Sequence, residues 1–119
     1  MEGCRIGVRL FFEGIINDST TVEDVKGIKN DLKAVARGYF DSQIDQYNLD
    51  VFLSINNYHA GYAAVAKYPA LTVPMRYTDK GEPKGLTFIS KPMLENNLLQ
   101  LGYGYELISK ERKIPEKYN

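Results

Sequence analysis

Tryptophan is absent from this 119-residue chain, and cysteine and histidine occur once each, at Cys4 and His59. A single cysteine excludes an internal disulfide and a cysteine-based zinc site. A metal site would have to gather Asp and Glu around His59, and no spacing in the sequence does so; no metal or cofactor is expected. Excess charge of one sign is also missing, since Lys plus Arg and Asp plus Glu each number 15 and the net charge is zero. That balance removes the electrostatic argument for a nucleic acid or an anionic membrane as partner. It also favours self-association. No apolar run approaches the ~18–20 residues of a membrane span. The start, Met1-Glu2-Gly3-Cys4, has no signal-peptide pattern, which leaves the cytoplasm as the default location.

What is present is ordinary for a globular protein: 44% hydrophobic and 25% charged residues. A chain of this length buries roughly two-thirds of its unfolded surface, enough for one core. Ile6, Val8, Leu10 and Phe12 share one parity, as in a strand. The run continues into Glu13-Gly14-Ile15-Ile16, which fits a helix equally, so this segment stays open between the two. Thr20 with Glu23 has capping-box spacing. Val22, Val25, Ile28, Leu32, Val35, Tyr39 and Ile44 then recur at helical intervals. They predict one long helix, or two joined near Gly27 to Asn30, ending near Gln46 to Asn48.

Val51 to Ile55 does not alternate, which predicts a strand covered on both faces. Ala60 to Lys67 reads as a short helix and Leu71 to Val73 as a strand closed by Pro74. Strand, helix and strand predict a βαβ unit. Thr78-Asp79-Lys80-Gly81 is a turn with glycine where positive φ is wanted. It sends Gly85 to Ser90 back as an antiparallel strand. Leu94, Leu98, Leu101, Tyr105 and Ile108 predict a final amphipathic helix, with Lys110, Arg112 and Lys113 at its negative end. The fold class is α/β: a small mixed β-sheet with flanking helices. A sheet this thin has unpaired edges that invite further strands.

These elements occur in an order that resembles the C-terminal part of the amidase signature family. The likeness rests on Asp41 to Asp50, on Tyr68-Pro69-Ala70-Leu71-Thr72-Val73-Pro74 and on Gly81-Glu82-Pro83-Lys84-Gly85-Leu86. It continues in Glu95-Asn96-Asn97-Leu98-Leu99-Gln100-Leu101, Glu106 and Lys110 to Pro115. Residues 30–115 carry it, residues 1–29 match poorly and residues 116–119 read as a tail. The resemblance implies a segment of a larger mixed sheet in a carboxamide hydrolase. It also implies two catalytic serines in a glycine- and serine-rich stretch far upstream, together with a lysine. Ser19, Ser42, Ser54, Ser90 and Ser109 lie in no such stretch. No catalytic residue is therefore carried over, and the chain alone is expected to be inactive. At Arg76 the family commonly has glycine or another small residue. An arginine forced to positive φ there would be strained.

Asn56, Asn57, Tyr58 and His59 follow the first clear strand, where open α/β sheets tend to bind ligands. They are read either as lining the acyl pocket of a complete enzyme or as a polar turn that caps the next helix. The expected partner is the missing N-terminal part of the amidase or a second copy of this chain. The alternative function is a non-catalytic α/β interaction domain that self-associates through its sheet edges. Membership of a transamidating complex is a third reading, since the family includes such components.

Overall fold

The computed structural model describes residues 19–114. The strand-or-helix segment around Ile6 to Ile16 and Cys4 lie outside them. Two compact units divide the chain, Met1–Leu32 and Lys33–Asn119. What is described of the first is the opening of helix α1 (Val22–Tyr47). The cap falls one residue later than expected. Asp24 N–H donates to Thr21 Oγ1 at 3.1 Å, while the Asp24 carboxylate accepts the Thr21 N–H at 2.9 Å and its hydroxyl at 2.6 Å. The reciprocal pair satisfies two free amides of the first turn. Hydrogen bonds from the Thr21 side chain, then from its backbone, hold the Asp24 carboxyl below its usual value. The helix runs unbroken through Gly27 to Asn30. It stops where Asn48 takes φ 50 and Leu49 N–H returns to the Ile44 carbonyl at 2.9 Å. That is a Schellman closure, with asparagine in the left-handed position.

The buried stripe of α1 is Ala36, Phe40 and Ile44, while Val22, Ile28, Leu32, Val35 and Tyr39 are exposed. Only Ile44 of the expected face is in the core. Both stripes have helical spacing, and the one with Phe40 meets the sheet. The remaining elements are β1 (Phe52–Ile55), α2 (Ala60–Ala66), β2 (Ala70–Tyr77), β3 (Pro83–Ile89) and α3 (Glu95–Ser109). Lys67, left-handed at φ 58, ends α2, and Tyr68 N–H bonds back to the Ala63 carbonyl at 2.9 Å.

The strand order is β1-β3-β2, and β3 is antiparallel to both neighbours. Strands therefore run in both directions, and β1 and β2, which run the same way, are not adjacent. The βαβ unit is split: β3 folds back through the Thr78–Gly81 turn, with Gly81 at φ 79, and fills the gap. Pro74 does not close β2 but lies inside it. An edge strand tolerates a residue with no N–H to give. The register shifts between Pro74 and Arg76, leaving Met75 as a bulge. Arg76 is not at positive φ, so the anticipated strain is absent.

Two layers cover the sheet. Ala36, Phe40 and Ile44 of α1 join Ala63 and Ala66 of α2, Tyr68, Ile89 and Phe52 in one core. Val73, Phe88 and Leu98, with Leu71, Leu86 and Tyr105 against them, form the second core under α3. Gly102 brings α3 close to β2, for a Cβ there would lie 2.5 Å from Leu71 Cδ2 and 3.4 Å from Val73 Cγ1. Gly104 meets nothing within 4 Å. Gly104→Ala is accordingly expected to raise stability by about 1 kcal/mol through helix propensity alone. Gly102→Val wedges the helix off the strand and should cost roughly 1–3 kcal/mol. Urea midpoints of the two variants measure the contrast, and equal shifts would refute it.

Leu53 and Ile55 remain half-exposed, so β1 is not covered on both faces as expected. Their register partners Phe88 and Leu86 place them on the α3 side of the sheet. Helix α3 packs on β2 and, to a lesser extent, on β3.

Candidate functional site

The turn after β1 is built around Asn56. Its N–H donates to the Gly85 carbonyl at 2.8 Å, and its side-chain Oδ1 accepts the Gly85 N–H at 2.8 Å. Its carbonyl accepts the Thr87 hydroxyl at 2.6 Å. Asn56 thus extends the β1–β3 ladder by one step at φ 51, a left-handed conformation that asparagine tolerates. Asn57 and Tyr58 face solvent. The Asn57 carbonyl accepts the Ala60 N–H at 3.2 Å. Asn56 and His59 turn inward, half-buried.

His59 occupies the cap position of α2 without a side-chain capping bond. Its ring instead joins three elements. Nδ1 lies 2.8 Å from Ser54 Oγ of β1, and Nε2 lies 3.1 Å from the Tyr39 hydroxyl of α1. The ring stacks at 5.9 Å on Tyr39, meets Phe52 edge-on at 5.2 Å and sits 6.4 Å from Tyr62 of α2. Either imidazole tautomer is satisfied here, because each hydroxyl can donate or accept.

A serine beside a histidine is the chemistry of an activated nucleophile. Ser54, however, is buried, and Tyr39, Phe52 and Tyr62 surround the ring that holds it. A carbonyl carbon can reach Oγ only if the array opens. What the arrangement does is satisfy a buried hydroxyl and lock the β1–α2 turn against α1. Neither Ser54 nor Tyr39 was singled out from the sequence. The available signal was a serine on the covered parity of a strand, which needs a partner, with a lone histidine five residues on.

A second polar cluster fixes the Tyr68-Pro69 elbow. Arg37 Nε donates to the Ala66 carbonyl at 3.0 Å, and its guanidinium lies 5.7 Å over the Tyr68 ring. The Tyr68 hydroxyl donates to the Asp41 carboxylate. Lys91 Nζ reaches Asp45 at 2.6 Å and Asp41 at 3.7 Å. Burial, then the bond to Asp41, pushes the Tyr68 phenol up to about 12. The bond to Asp45 raises Lys91.

Arg76, Tyr77, Lys84 and Arg112 wall a shallow cleft of about 290 Å³ beside the β2–β3 hairpin. Lys84 is paired with Glu82 at 3.1 Å, and Arg112 with Glu106. None of Asn56, Asn57, Tyr58 and His59 lines this cleft. Among the described residues no cluster of metal-ligating side chains occurs, and no helix is long and apolar enough to cross a membrane.

No protein-family model matches the chain. It is 37% identical over 67 residues to the A component of the glutamyl-tRNA(Gln) amidotransferase of Thermodesulfovibrio yellowstonii, spanning 56% of this chain and 12% of that protein. It is 25% identical over 85 residues to a probable amidase of Arabidopsis thaliana, spanning 71% of this chain and 17% of that one. Among solved structures, an amidase family protein from Bacillus anthracis superposes with a TM-score of 0.78 at 34% identity, over 82% of this chain and 19% of that chain. The peptide amidase of Stenotrophomonas maltophilia gives a TM-score of 0.73 at 26% identity, over 86% and 24%. The chain thus spans less than a fifth of the curated relatives it matches. In both sequence and fold, it is similar to a portion of amidase-family proteins.

Proposed function

We propose that this chain acts as the C-terminal structural segment of a carboxamide hydrolase of the amidase type. It supplies three sheet strands and their covering helices, and the Asn56–His59 turn lines part of the acyl pocket. The reaction is hydrolysis of a C–N amide bond by serine and lysine side chains on polypeptide that this chain does not include. The observation that carries the reading is the superposition with the Bacillus anthracis amidase family protein. It takes in 82% of this chain and only 19% of that one, at 34% identity. The outward-facing Asn57 and Tyr58 are the members of the turn available to a substrate. Asn56 and His59 hold the turn in place.

Alone, the chain is expected to release no ammonia from a simple carboxamide such as benzamide. The decisive variant is Ser54→Ala. Turnover by the wild-type chain that this variant abolishes would make the Ser54–His59 pair a working nucleophile and base, and the reading would fall.

A further inference from the structure

We propose that β1 pairs with the β1 of a second copy of this chain, antiparallel about a twofold axis, joining two three-stranded sheets into one. This goes beyond the amidase reading and does not depend on it.

The two edges of the sheet are unlike. β2 carries Pro74, a bulge at Met75 and the charge of Arg76. These are devices that keep an edge from pairing. β1 has none of them: Val51-Phe52-Leu53-Ser54-Ile55 holds no charge and no proline. The phase of its ladder is set by the Asn56–Gly85 bonds, which make Ser54 and Phe52 the residues that exchange bonds with β3. In an antiparallel ladder the alternate residues turn their backbone groups the other way. Leu53 and Ile55 therefore point theirs to the open side. The Ile55 carbonyl accepts the Tyr58 N–H at 3.4 Å. Among the described residues, the Leu53 N–H and C=O and the Ile55 N–H take no backbone partner, which leaves them for another strand.

The side chains agree. Leu53 and Ile55 are 53% and 50% exposed, on the face that α3 leaves uncovered. A second copy fits this edge because the edge is complementary to itself. Centred on Leu53, antiparallel pairing exchanges two bonds between Leu53 and the partner's Leu53. It also brings each Ile55 N–H to the partner's Val51. Asp50, the flanking charge, then falls opposite the partner's Asn56 rather than another aspartate. A chain of zero net charge opposes the approach with no long-range repulsion.

The test is mass by light scattering and sedimentation velocity from low to high micromolar concentration. The wild-type chain should move from one to two copies. Leu53→Lys, at a half-exposed position, should stay at one copy throughout with an unchanged circular dichroism spectrum. Ile55→Glu should do the same and serves if Leu53→Lys does not fold. Arg76→Glu, on the guarded edge, should dimerise as the wild type does. A wild-type chain that stays monomeric at high micromolar concentration overturns the proposal, as when another segment or protein owns the edge. So does a dimer that the β1 variants leave intact, or one that Arg76→Glu dissolves. Amide hydrolysis is a separate readout, so neither result bears on the other.

Discussion

Phe40→Ala is expected to cost about 3–5 kcal/mol, the range for emptying a phenylalanine site in a packed core. Phe40 is 0% exposed. Its ring meets Tyr39 and Phe52 edge-on, each at 5.3 Å, and stacks on Tyr68 at 5.6 Å. The loss therefore combines transfer of a large side chain with three aromatic contacts. Small domains hold only about 5–15 kcal/mol in total. Val35→Ala on the same helix, at a residue 73% exposed, should stay within about 0.5 kcal/mol. Urea unfolding of both variants reads the comparison. A larger loss at Val35 would place the wrong stripe of α1 in the core.

That helix shows how far sequence patterning reaches. Its existence, its asparagine stop and its cap to within one residue follow from local chemistry, which acts over three or four positions. Its buried face does not. Val25, Ile28, Leu32, Val35 and Tyr39 are as periodic as Ala36, Phe40 and Ile44. Periodicity alone cannot say which stripe meets a sheet. The strands behave alike: β1, β2 and β3 and the Gly81 turn are legible, whereas the placement of β3 between β1 and β2 is a long-range choice. Pro74 reads as a stop only when the strand is taken as central, and β2 is an edge.

The candidate turn is legible as a place but not as a mechanism. Asn56 to His59 follow a strand in the sequence, and in the structure they join β1 to α2. Which of them face inward depends on partners far along the chain: Gly85 and Thr87 for Asn56, Tyr39 for His59. No spacing rule links those positions. The YPALTVP stretch is recognisable as a motif, yet its link to α1 depends on Arg37 and Asp41, some thirty residues before it.

That link yields an expected loss of stability in alkali. The Tyr68 phenol, at about 10 when unfolded, is raised to about 12 by burial and by its bond to Asp41. A raised value means that the folded state keeps a proton the unfolded chain gives up. The contribution is whole below pH 10 and falls as pH climbs towards 12. Two pKa units correspond to roughly 2–3 kcal/mol. Lys91, also raised by its bond to Asp45, adds a loss of the same sign. Tyr68→Phe isolates the phenol. At neutral pH it removes a hydrogen bond to a carboxylate, worth about 1.5–3 kcal/mol. Between pH 10 and 12 the gap between wild type and variant should shrink, because only the wild type still carries the ionising group. Denaturant midpoints across that window measure it. A gap that holds constant would mean that Tyr68 ionises in the folded chain as it does in water, and that Asp41 accepts no hydrogen bond from it.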